Sequence, residues 1–266
     1  MNTVTLTVKN APELFLECEN VNPDVFAGKK ADQIAKLGAF QGKEITTLGD
    51  YFTITGEAGA TAAETMIVIN GDCSKMKYIG AKMTAGEVVV NSACDMYTGA
   101  WMKGGKLVVN GDVHSFCGLA MAGGEFTING NAGNYLGAAY RGDWRGMSGG
   151  VLRVRGNAGS DVATFMTGGE MIIEGNVDIH IGTHMEGGKI IVKGNANRRV
   201  GGQLVKGEIY IFGKINVMMP GFKPTGEVAL DVDGTKAKFV EYLGDLGERH
   251  PKKKGVTVYG KLFLKQ

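Results

Sequence analysis

The chain has 266 residues, of which 44% are hydrophobic and 21% charged, which is ordinary for a soluble globular protein of one large or two small domains. Its formal net charge of +2 is too small to indicate nucleic-acid binding. No segment reaches the roughly 18 consecutive apolar residues of a membrane helix, and the N-terminus lacks the pattern of a signal peptide. We therefore expect a cytoplasmic protein that binds neither nucleic acid nor a membrane.

Residues 1–50 precede the glycine-rich part of the chain and are expected to cap one end of the molecule. They include one predicted short helix, residues 30–37, in which alanine, lysine, glutamine and leucine favour helical structure. The segments 51–54 and 66–69 are rich in β-branched and aromatic residues and are predicted to be strands. These two strands are expected to begin the regular part of the fold.

The central part of the chain is an internal repeat with a period of 19 residues. Of the 43 glycines, 29 lie between residues 80 and 213. One repeat has the form Gly-x-x-Met-x-Gly-Gly, followed by three mostly apolar residues and then by Gly with Asn or Asp. The methionine recurs in steps of 19 with a single step of 26, at Met83, Met102, Met121, Met147, Met166 and Met185.

This repeat predicts an all-β fold, a right-handed single-stranded parallel β-helix with small N- and C-terminal caps. The apolar triplets, such as residues 107–109 and 190–192, favour short strands. About seven residues separate a triplet from the next turn, which is too few for the crossover helix that parallel strands otherwise need. A strand that returns every 19 residues must therefore stack on its own copies as a solenoid.

Residues 216–266 are expected to cap the other end, with strands near residues 256–259 and 262–264. Caps are needed because an uncapped solenoid would expose strand edges. The expected division of the chain is an N-terminal cap, the parallel β-helix and a C-terminal cap, at residues 1–50, 51–215 and 216–266.

The side chains of each triplet are expected to alternate between the inside and the outside of the coil. The middle positions then form an outward column in which several neighbours are apolar: Val89, Val108, Thr127, Arg153, Ile172, Ile191 and Tyr210. Contiguous exposed apolar patches usually mark contact surfaces. We therefore expect this outward column to contact a partner.

The four cysteines are expected to be free thiols in the core. Cys73 and Cys94 share a column of the repeat with Val113, and Cys117 shares another column with Leu136. Cysteine at such positions behaves as a small hydrophobic residue. The closely spaced cysteines that usually bind iron–sulfur clusters are absent from the sequence.

His180 and His184 are the remaining candidates for a metal site. They flank the inward-facing Ile181 at a coil corner, and the sequence pairs no obvious acidic or cysteine ligand with them. The repeat also lacks the glycine pattern of a dinucleotide-binding turn. We therefore assign no catalytic residue, no cofactor-binding residue and no metal ligand to this chain.

The step of 26 residues marks a seven-residue insertion between Gly137 and Met147. Because the register resumes afterwards, the insertion is predicted to be a loop that leaves one corner of the stack. It concentrates the residue types that are enriched at interface hot spots. We therefore predict a partner interface, although a loop packed on its own coil remains an alternative; the predicted interface residues are Tyr140, Arg141, Asp143, Trp144 and Arg145.

These residues resemble the C subunit of formylmethanofuran dehydrogenase. The resemblance is carried by the Gly-Ala-Ala-Tyr-Arg-Gly-Asp-Trp-Arg-Gly-Met sequence of residues 137–147, set among the Gly-x-x-Met-x-Gly-Gly coils. Residues 23–29, Pro-Asp-Val-Phe-Ala-Gly-Lys, and residues 242–249, Tyr-Leu-Gly-Asp-Leu-Gly-Glu-Arg, also look like that subunit. The resemblance covers nearly the whole chain, and the loop with both end segments is more specific than the coils.

The resemblance implies a scaffolding subunit of a complex that reduces CO2 with ferredoxin electrons and forms formylmethanofuran, the first step of methanogenesis. It implies three kinds of partner: a catalytic subunit with a molybdenum or tungsten pterin, an amidohydrolase-like subunit with a dinuclear metal site, and ferredoxin-type subunits with iron–sulfur clusters. In that family the C subunit is a β-helix that packs against the catalytic subunits, so this chain is expected to be non-catalytic within an oxidoreductase complex.

Two related functions remain open. The bacterial formyltransferase/hydrolase complex of one-carbon oxidation has a similar C subunit and lacks the metal-pterin redox step. The C-terminal domain of glutamate synthase has a similar coil repeat, but it normally ends a long amidotransferase chain, whereas this sequence is expected to have its own caps. A carbohydrate-active β-helix enzyme is disfavoured, because the outward column contains no Asp or Glu.

Overall fold

A computed structural model of the chain describes residues 1–249 and 254–266; residues 250–253, which belong to the expected C-terminal cap, lie outside the described residues. Strands β1–β10 span Asn2–Val8, Leu16–Glu17, Gly38–Gln41, Glu44–Thr47, Phe52–Gly56, Thr65–Asn70, Met76–Lys77, Glu87–Val90, Lys106–Val109 and Glu125–Ile128. Strands β11–β20 span Ser148–Val154, Gly168–Ile173, Val177–Ile179, Glu186–Val192, Ala196–Arg198, Lys206–Ile211, Ile215–Val217, Lys223–Val232, Thr235–Arg249 and Thr257–Lys265. Helices α1–α3 span Pro23–Phe26, Ala31–Ala35 and Leu48–Tyr51, and a 3-10 turn spans Ala62–Glu64.

The largest element is a mostly parallel sheet in which the apolar triplets pair in the order of the repeats. Its strand order is β18-β19-β20-β16-β14-β12-β11-β10-β9-β8-β6-β1-β5. Val88 lies opposite Leu107, Leu107 opposite Phe126, and Phe126 opposite Leu152, so partners are one repeat apart. The prediction of an all-β fold with parallel stacking of the triplets is therefore confirmed at this level.

Each repeat also contributes to a second parallel ladder. Strands β13, β15 and β17 form a three-stranded parallel sheet. Earlier repeats extend this ladder through single bridges, which run from Cys73 to Cys94, Val113, Ala132, Ala158 and Val177. The chain thus passes through two stacks of parallel strands once in each repeat.

The core lies between these two ladders. In β9, Leu107 and Val109 are fully buried and Val108 is half-buried, as the alternation of side chains predicts. All four cysteines are buried. The six repeating methionines are each 0% exposed, so the ladder at Met83, Met102, Met121, Met147, Met166 and Met185 forms a continuous core stack.

Asparagine and aspartate side chains stitch neighbouring repeats together at one corner. The Oδ1 atom of Asn157 accepts a hydrogen bond from the backbone N–H of Asn176 at 2.8 Å, and Asn176 accepts from Asn195 at the same distance. Asp112 and Asn131 continue the series on the N-terminal side. Each such residue supplies an acceptor to a backbone donor of the next repeat.

The glycines beside those residues have a different role from the glycines of the Gly-Gly turn. The second glycine of the Gly-Gly turn has a positive φ, for example +76° at Gly105, whereas Gly111 does not. At Gly111 an added Cβ would lie 2.5 Å from the backbone nitrogen of Ala93. This second set of glycines is therefore required by the close approach of consecutive repeats.

The N-terminal end differs from the prediction in one strand. The predicted strand at residues 51–54 does not add a repeat, because β5 pairs antiparallel with β1. It is β1 that extends the parallel sheet, alongside β6. Strand β1 can do so because Val4 and Leu6 alternate into the core at 0% exposure. The predicted helix at residues 30–37 is present as α2.

The C-terminal strands cover much of the outward column, so the prediction of an exposed apolar surface is wrong there. Ile172, Ile191 and Tyr210 are 1%, 0% and 6% exposed. The residues that pack on them are Val232, Phe239 and Phe263. At the tip of the β18–β19 hairpin, the Asp233 carboxylate binds Arg153 at 3.0 Å and Lys193 at 3.3 Å. At Ile172, Ile191 and Tyr210 the outward column therefore contacts the C-terminal strands of the same chain, where we had expected a partner.

Candidate interaction surface

The insertion loop comprises residues 140–146 and leaves the stack at a single point. The backbone N–H of Ala139 donates to the Thr164 carbonyl at 3.0 Å, so Ala139 still occupies a regular position of the repeat. The N–H of Met147 donates to the Gly137 carbonyl at 2.9 Å, which closes the base of the loop. Residues 140–146 therefore leave the stack between two residues, Ala139 and Met147, that are held by backbone hydrogen bonds.

The five residues of the predicted interface lie together on this loop and are exposed. Trp144 is 72% exposed and Tyr140 is 49% exposed, and Arg141, Asp143 and Arg145 are also exposed. The N–H of Asp143 donates to the Tyr140 carbonyl at 2.8 Å, and the N–H of Arg145 donates to the Asp143 carboxylate at 3.2 Å. These bonds hold the loop in one conformation while its large side chains face solvent.

Beside the loop lies an aromatic ladder that was not predicted from the sequence. Its members are Tyr78, Tyr97, Phe116 and Tyr135, one from each of four consecutive repeats. The rings are stacked with centroids 4.8, 5.3 and 4.7 Å apart and interplanar angles of 6°, 10° and 3°. The signal was available, since these residues recur at the same 19-residue step as the methionines.

The loop and the ladder form one surface. Tyr140 packs on Trp101 with ring centroids 5.9 Å apart, and Trp101 stacks on Tyr97 at 6.5 Å with an angle of 1°. Below these rings, three small or aliphatic side chains form a separate buried cluster outside the main core: Ala100, Leu119 and Ala138. We call the four ladder residues, Trp101 and residues 140–146 the aromatic corner.

The backbone at this corner favours glycine, yet it carries rings. Tyr97 and Gly99 have φ of 63° and 67°, and both lie in the left-handed region. A Cβ on Gly99 would lie 2.9 Å from Leu107 and 3.0 Å from Phe126 in the core, so only glycine fits there. Tyr97 points outward and is free to carry a side chain. Its ring stacking offsets a backbone conformation that costs an L-residue about 1–3 kcal/mol.

The aromatic corner encloses a pocket of about 190 Å³. The rings of Phe116, Tyr135, Tyr140 and Phe165 line the pocket. The other lining residues are Ala138, Ala139, Arg141, Gly142, Asp143 and Thr164. Beyond this pocket, Phe165 stacks on His184 at 4.9 Å.

The phenol groups of Tyr78 and Tyr97 stay protonated at neutral pH. Burial raises the pKa of Tyr78 to about 12, and the neighbouring Tyr97 adds to the shift. Burial also raises the pKa of Tyr97. These two residues therefore present uncharged rings and hydroxyl groups.

The two histidines have partners that the sequence did not indicate. His180 Nδ1 lies 3.2 Å from the Asp161 carboxylate, and its Nε2 lies 3.2 Å from the Arg199 guanidinium. In residues 1–249 and 254–266, no group of three or more His, Cys, Asp and Glu side chains is placed to hold a metal ion.

The thiols do not fit a metal or cluster site either. Burial raises the pKa of Cys73 to about 11 and that of Cys117 to about 12, so both are protonated thiols in the free chain at neutral pH. Within the described part of the chain, no cluster of side chains fits the metal-pterin or iron–sulfur groups that the sequence resemblance assigns to partner subunits.

Among the described residues, no helix is long and apolar enough to cross a membrane.

Two curated relatives each match about a third of the chain. The C subunit of the tungsten-containing formylmethanofuran dehydrogenase 2 of Methanothermobacter thermautotrophicus is 48% identical over 97 residues, which are 36% of this chain and 36% of the relative. The C subunit of the molybdenum-containing formylmethanofuran dehydrogenase 1 of Methanosarcina barkeri is 44% identical over 97 residues, 36% of this chain and 32% of the relative. No protein-family model matches the chain.

A solved structure is similar over almost the whole chain. A chain in the formyltransferase/hydrolase complex of Methylorubrum extorquens, determined with methylofuran, superposes with a TM-score of 0.84, covers 98% of both chains and is 24% identical. At that identity the likeness shows a shared fold. The two relatives confirm that the chain resembles the C subunit of formylmethanofuran dehydrogenase.

Proposed function

We propose that this chain is the scaffolding, non-catalytic subunit of a cytoplasmic formylmethanofuran dehydrogenase complex. The observation that carries the proposal is the insertion loop, which displays Trp144 at 72% exposure on a base fixed by the bond between Met147 and Gly137. A large exposed aromatic side chain with two arginines beside it is typical of an interface before its partner binds.

We further propose that the stem is a right-handed parallel β-helix. Support comes from the two parallel ladders, to which every repeat contributes once, and from the continuous methionine stack between them. A solenoid contacts only its neighbouring repeats and is extended, so it offers a long, stiff side to other subunits. That geometry suits a scaffold.

The partners in this proposal follow from the names of the relatives and from the sequence resemblance. The relatives are subunits of tungsten- and molybdenum-containing formylmethanofuran dehydrogenases. The complex would reduce CO2 with ferredoxin electrons and form formylmethanofuran. Its metal-pterin, dinuclear-metal and iron–sulfur centres would lie in the catalytic, amidohydrolase-like and ferredoxin-type subunits. The contribution of this chain is to hold those subunits through the aromatic corner.

A second candidate is the C subunit of a formyltransferase/hydrolase complex. It is favoured by the superposition on a chain of the Methylorubrum extorquens complex along 98% of both chains. The identity in that comparison is 24%, against 48% and 44% over the matched segments of the two dehydrogenase subunits. The higher identity over those segments supports the dehydrogenase as the first candidate.

Affinity purification of the tagged chain from its native cells under anoxic conditions tests the proposal. Mass spectrometry of the partners and elemental analysis are the measurements. We expect metal-pterin and iron–sulfur subunits together with molybdenum or tungsten. Amidohydrolase-like and formyltransferase partners without either metal would instead assign the chain to the second candidate. Recovery of the chain alone would contradict both.

A matched pair of variants links the result to the loop. Trp144→Ala with Arg145→Ala removes an exposed aromatic and an exposed basic side chain from the loop. The control, Phe40→Ala with Lys43→Ala, removes the same two types from the β3–β4 hairpin, where Phe40 is 45% exposed. We expect the first pair to reduce recovery of the partners and the control to leave it unchanged. Equal recovery with both would contradict the interface at the loop.

A further inference from the structure

The pocket in the aromatic corner is too small for a cofactor. Pockets that bind small molecules usually enclose about 300–1,000 Å³, whereas this one encloses about 190 Å³. Ala138 is 1% exposed and, with Ala139, contributes only methyl groups to the lining. The space left above those methyl groups suits a single side chain.

The chemistry of the lining favours an uncharged, flat side chain. The walls are the rings of Phe116, Tyr135, Tyr140 and Phe165. Arg141 and Asp143, the charged groups at the rim, have opposite signs, so the pocket has no net charge with which to attract an ion. Aromatic rings pair favourably with other rings in stacked or edge-to-face contact.

The aromatic ladder ends at this pocket. Tyr135 stacks on Phe116 with an interplanar angle of 3°. In the following repeat the equivalent position is Asp161, whose carboxylate is engaged by His180. Within the part of the chain that the structure describes, no other ring stacks on Tyr135, which is 38% exposed. A ring from another molecule would extend the series.

Three of the wall residues hold a conformation that disfavours side chains. Phe116, Tyr135 and Phe165 have φ of 62°, 59° and 59°. The same conformation recurs at the equivalent positions of other repeats, for example at His180 and Arg199, so the backbone of the repeat sets it and the pocket is distinguished by its rings.

We propose that the pocket receives one aromatic side chain, Phe, Tyr or Trp, from a neighbouring protein subunit. This inference rests on the proposed function and specifies the chemistry of the partner. The inserted ring is the central anchor of the interface. The exposed residues Arg141 and Asp143, which line the same pocket, lie beside the ring and exclude water, as the residues around interface anchors generally do.

Filling the pocket from within tests the proposal. Ala139→Phe places a ring in the pocket and leaves every loop residue unchanged. Ala122→Phe is the matched control, because Ala122 is exposed and lies outside the pocket. Tagged chains are compared by the amount of partner subunits that each retains after purification of the complex. We expect Ala139→Phe to lower retention about tenfold or more and Ala122→Phe to leave it unchanged.

A second measurement identifies the occupant in a chain that keeps the wild-type fold. A photoactivatable benzoylphenylalanine replaces Tyr140, and the crosslinked partner peptide is mapped by mass spectrometry. We expect the crosslink to lie on, or directly beside, an aromatic residue of another subunit. A crosslinked segment without an aromatic residue would overturn the proposal even if Ala139→Phe misfolds.

The outcomes separate this inference from the proposed function. Loss of partners on Trp144→Ala with Arg145→Ala, combined with full retention on Ala139→Phe, leaves the loop interface standing and refutes the aromatic anchor. Full retention with both variants refutes the interface at the loop and the anchor together.

Discussion

The backbone N–H of Met147 donates to the carbonyl oxygen of Gly137 at 2.9 Å, and this bond closes the insertion loop at its base. In the preceding repeat, the residue equivalent to Met147 is Met121, and it directly follows Ala120. The loop is therefore inserted between Ala139 and Met147, whose equivalents follow each other directly in the remaining repeats.

Deletion of residues 140–146 should leave the fold intact. Joining Ala139 to Met147 recreates the Ala-Met step of residues 120–121 and restores the 19-residue period. The main losses are the contact between Tyr140 and Trp101 and the hydrogen bond from the Gly146 N–H to the Phe165 carbonyl, so the free energy of unfolding should change by less than about 2 kcal/mol. Chemical denaturation followed by circular dichroism measures it. A chain that no longer folds would show that the loop is part of the stem's structure.

The methionine ladder should be a main determinant of stability. Met121→Ala opens a cavity at a fully buried position and should cost about 2–5 kcal/mol of unfolding free energy. Val108→Ala, at a half-buried outward position of strand β9, should cost less than about 2 kcal/mol. Equal losses in denaturant titrations would contradict the assignment of the core to the space between the two ladders.

The corner acceptors should be replaceable by aspartate but not by alanine. Asn157→Ala removes the acceptor for the Asn176 N–H and should cost about 0.5–1.5 kcal/mol. Asn157→Asp keeps a carboxylate oxygen at that place, as Asp112 does in an earlier repeat. Thermal unfolding of the two variants should therefore differ, with the alanine variant melting at the lower temperature; the reverse order would refute the stitching role.

The hairpin contact should weaken in acid. Hydrogen bonds from Arg153 and Lys193 lower the pKa of Asp233 in the folded chain. A lowered folded-state pKa gives stability that is present above the unfolded-state pKa of about 3.9 and is lost as pH falls through the folded-state pKa.

Asp233→Asn lacks that titration. The stability difference between wild type and the variant should therefore shrink below about pH 4. Urea denaturation of the wild type and of Asp233→Asn, at several pH values from about 3 to about 7, checks this. A difference that stays constant with pH would show that the carboxylate charge contributes nothing.

The sequence predicted what is periodic and missed what depends on contacts between distant segments. The 19-residue period placed Cys73 opposite Cys94 and put Met121 in the core, and both are found there. A local pattern does not say which neighbour a strand will pair with, so β5 was expected to add a repeat although β1 takes that place. Alternation showed that Ile191 leaves the core but could not show that Phe239 covers it.

At the candidate site, the insertion was predicted because it breaks the period. The aromatic ladder was missed although it obeys the period, because Tyr78 and Tyr97 lie at a turn rather than in an apolar strand. The pocket could not be predicted from sequence. It depends on how Phe165 of one repeat and Tyr135 of another are placed relative to the loop.

Oxidative footprinting of Trp144, in the free chain and in the purified complex, probes the interface at the insertion loop without any substitution. Trp144 is 72% exposed in the chain alone, so hydroxyl radicals should modify it rapidly. Phe40, at 45% exposure, is the internal reference. If the insertion loop is the interface, assembly should protect Trp144 strongly and leave Phe40 unchanged. Equal oxidation of Trp144 in both states would contradict an interface at this loop.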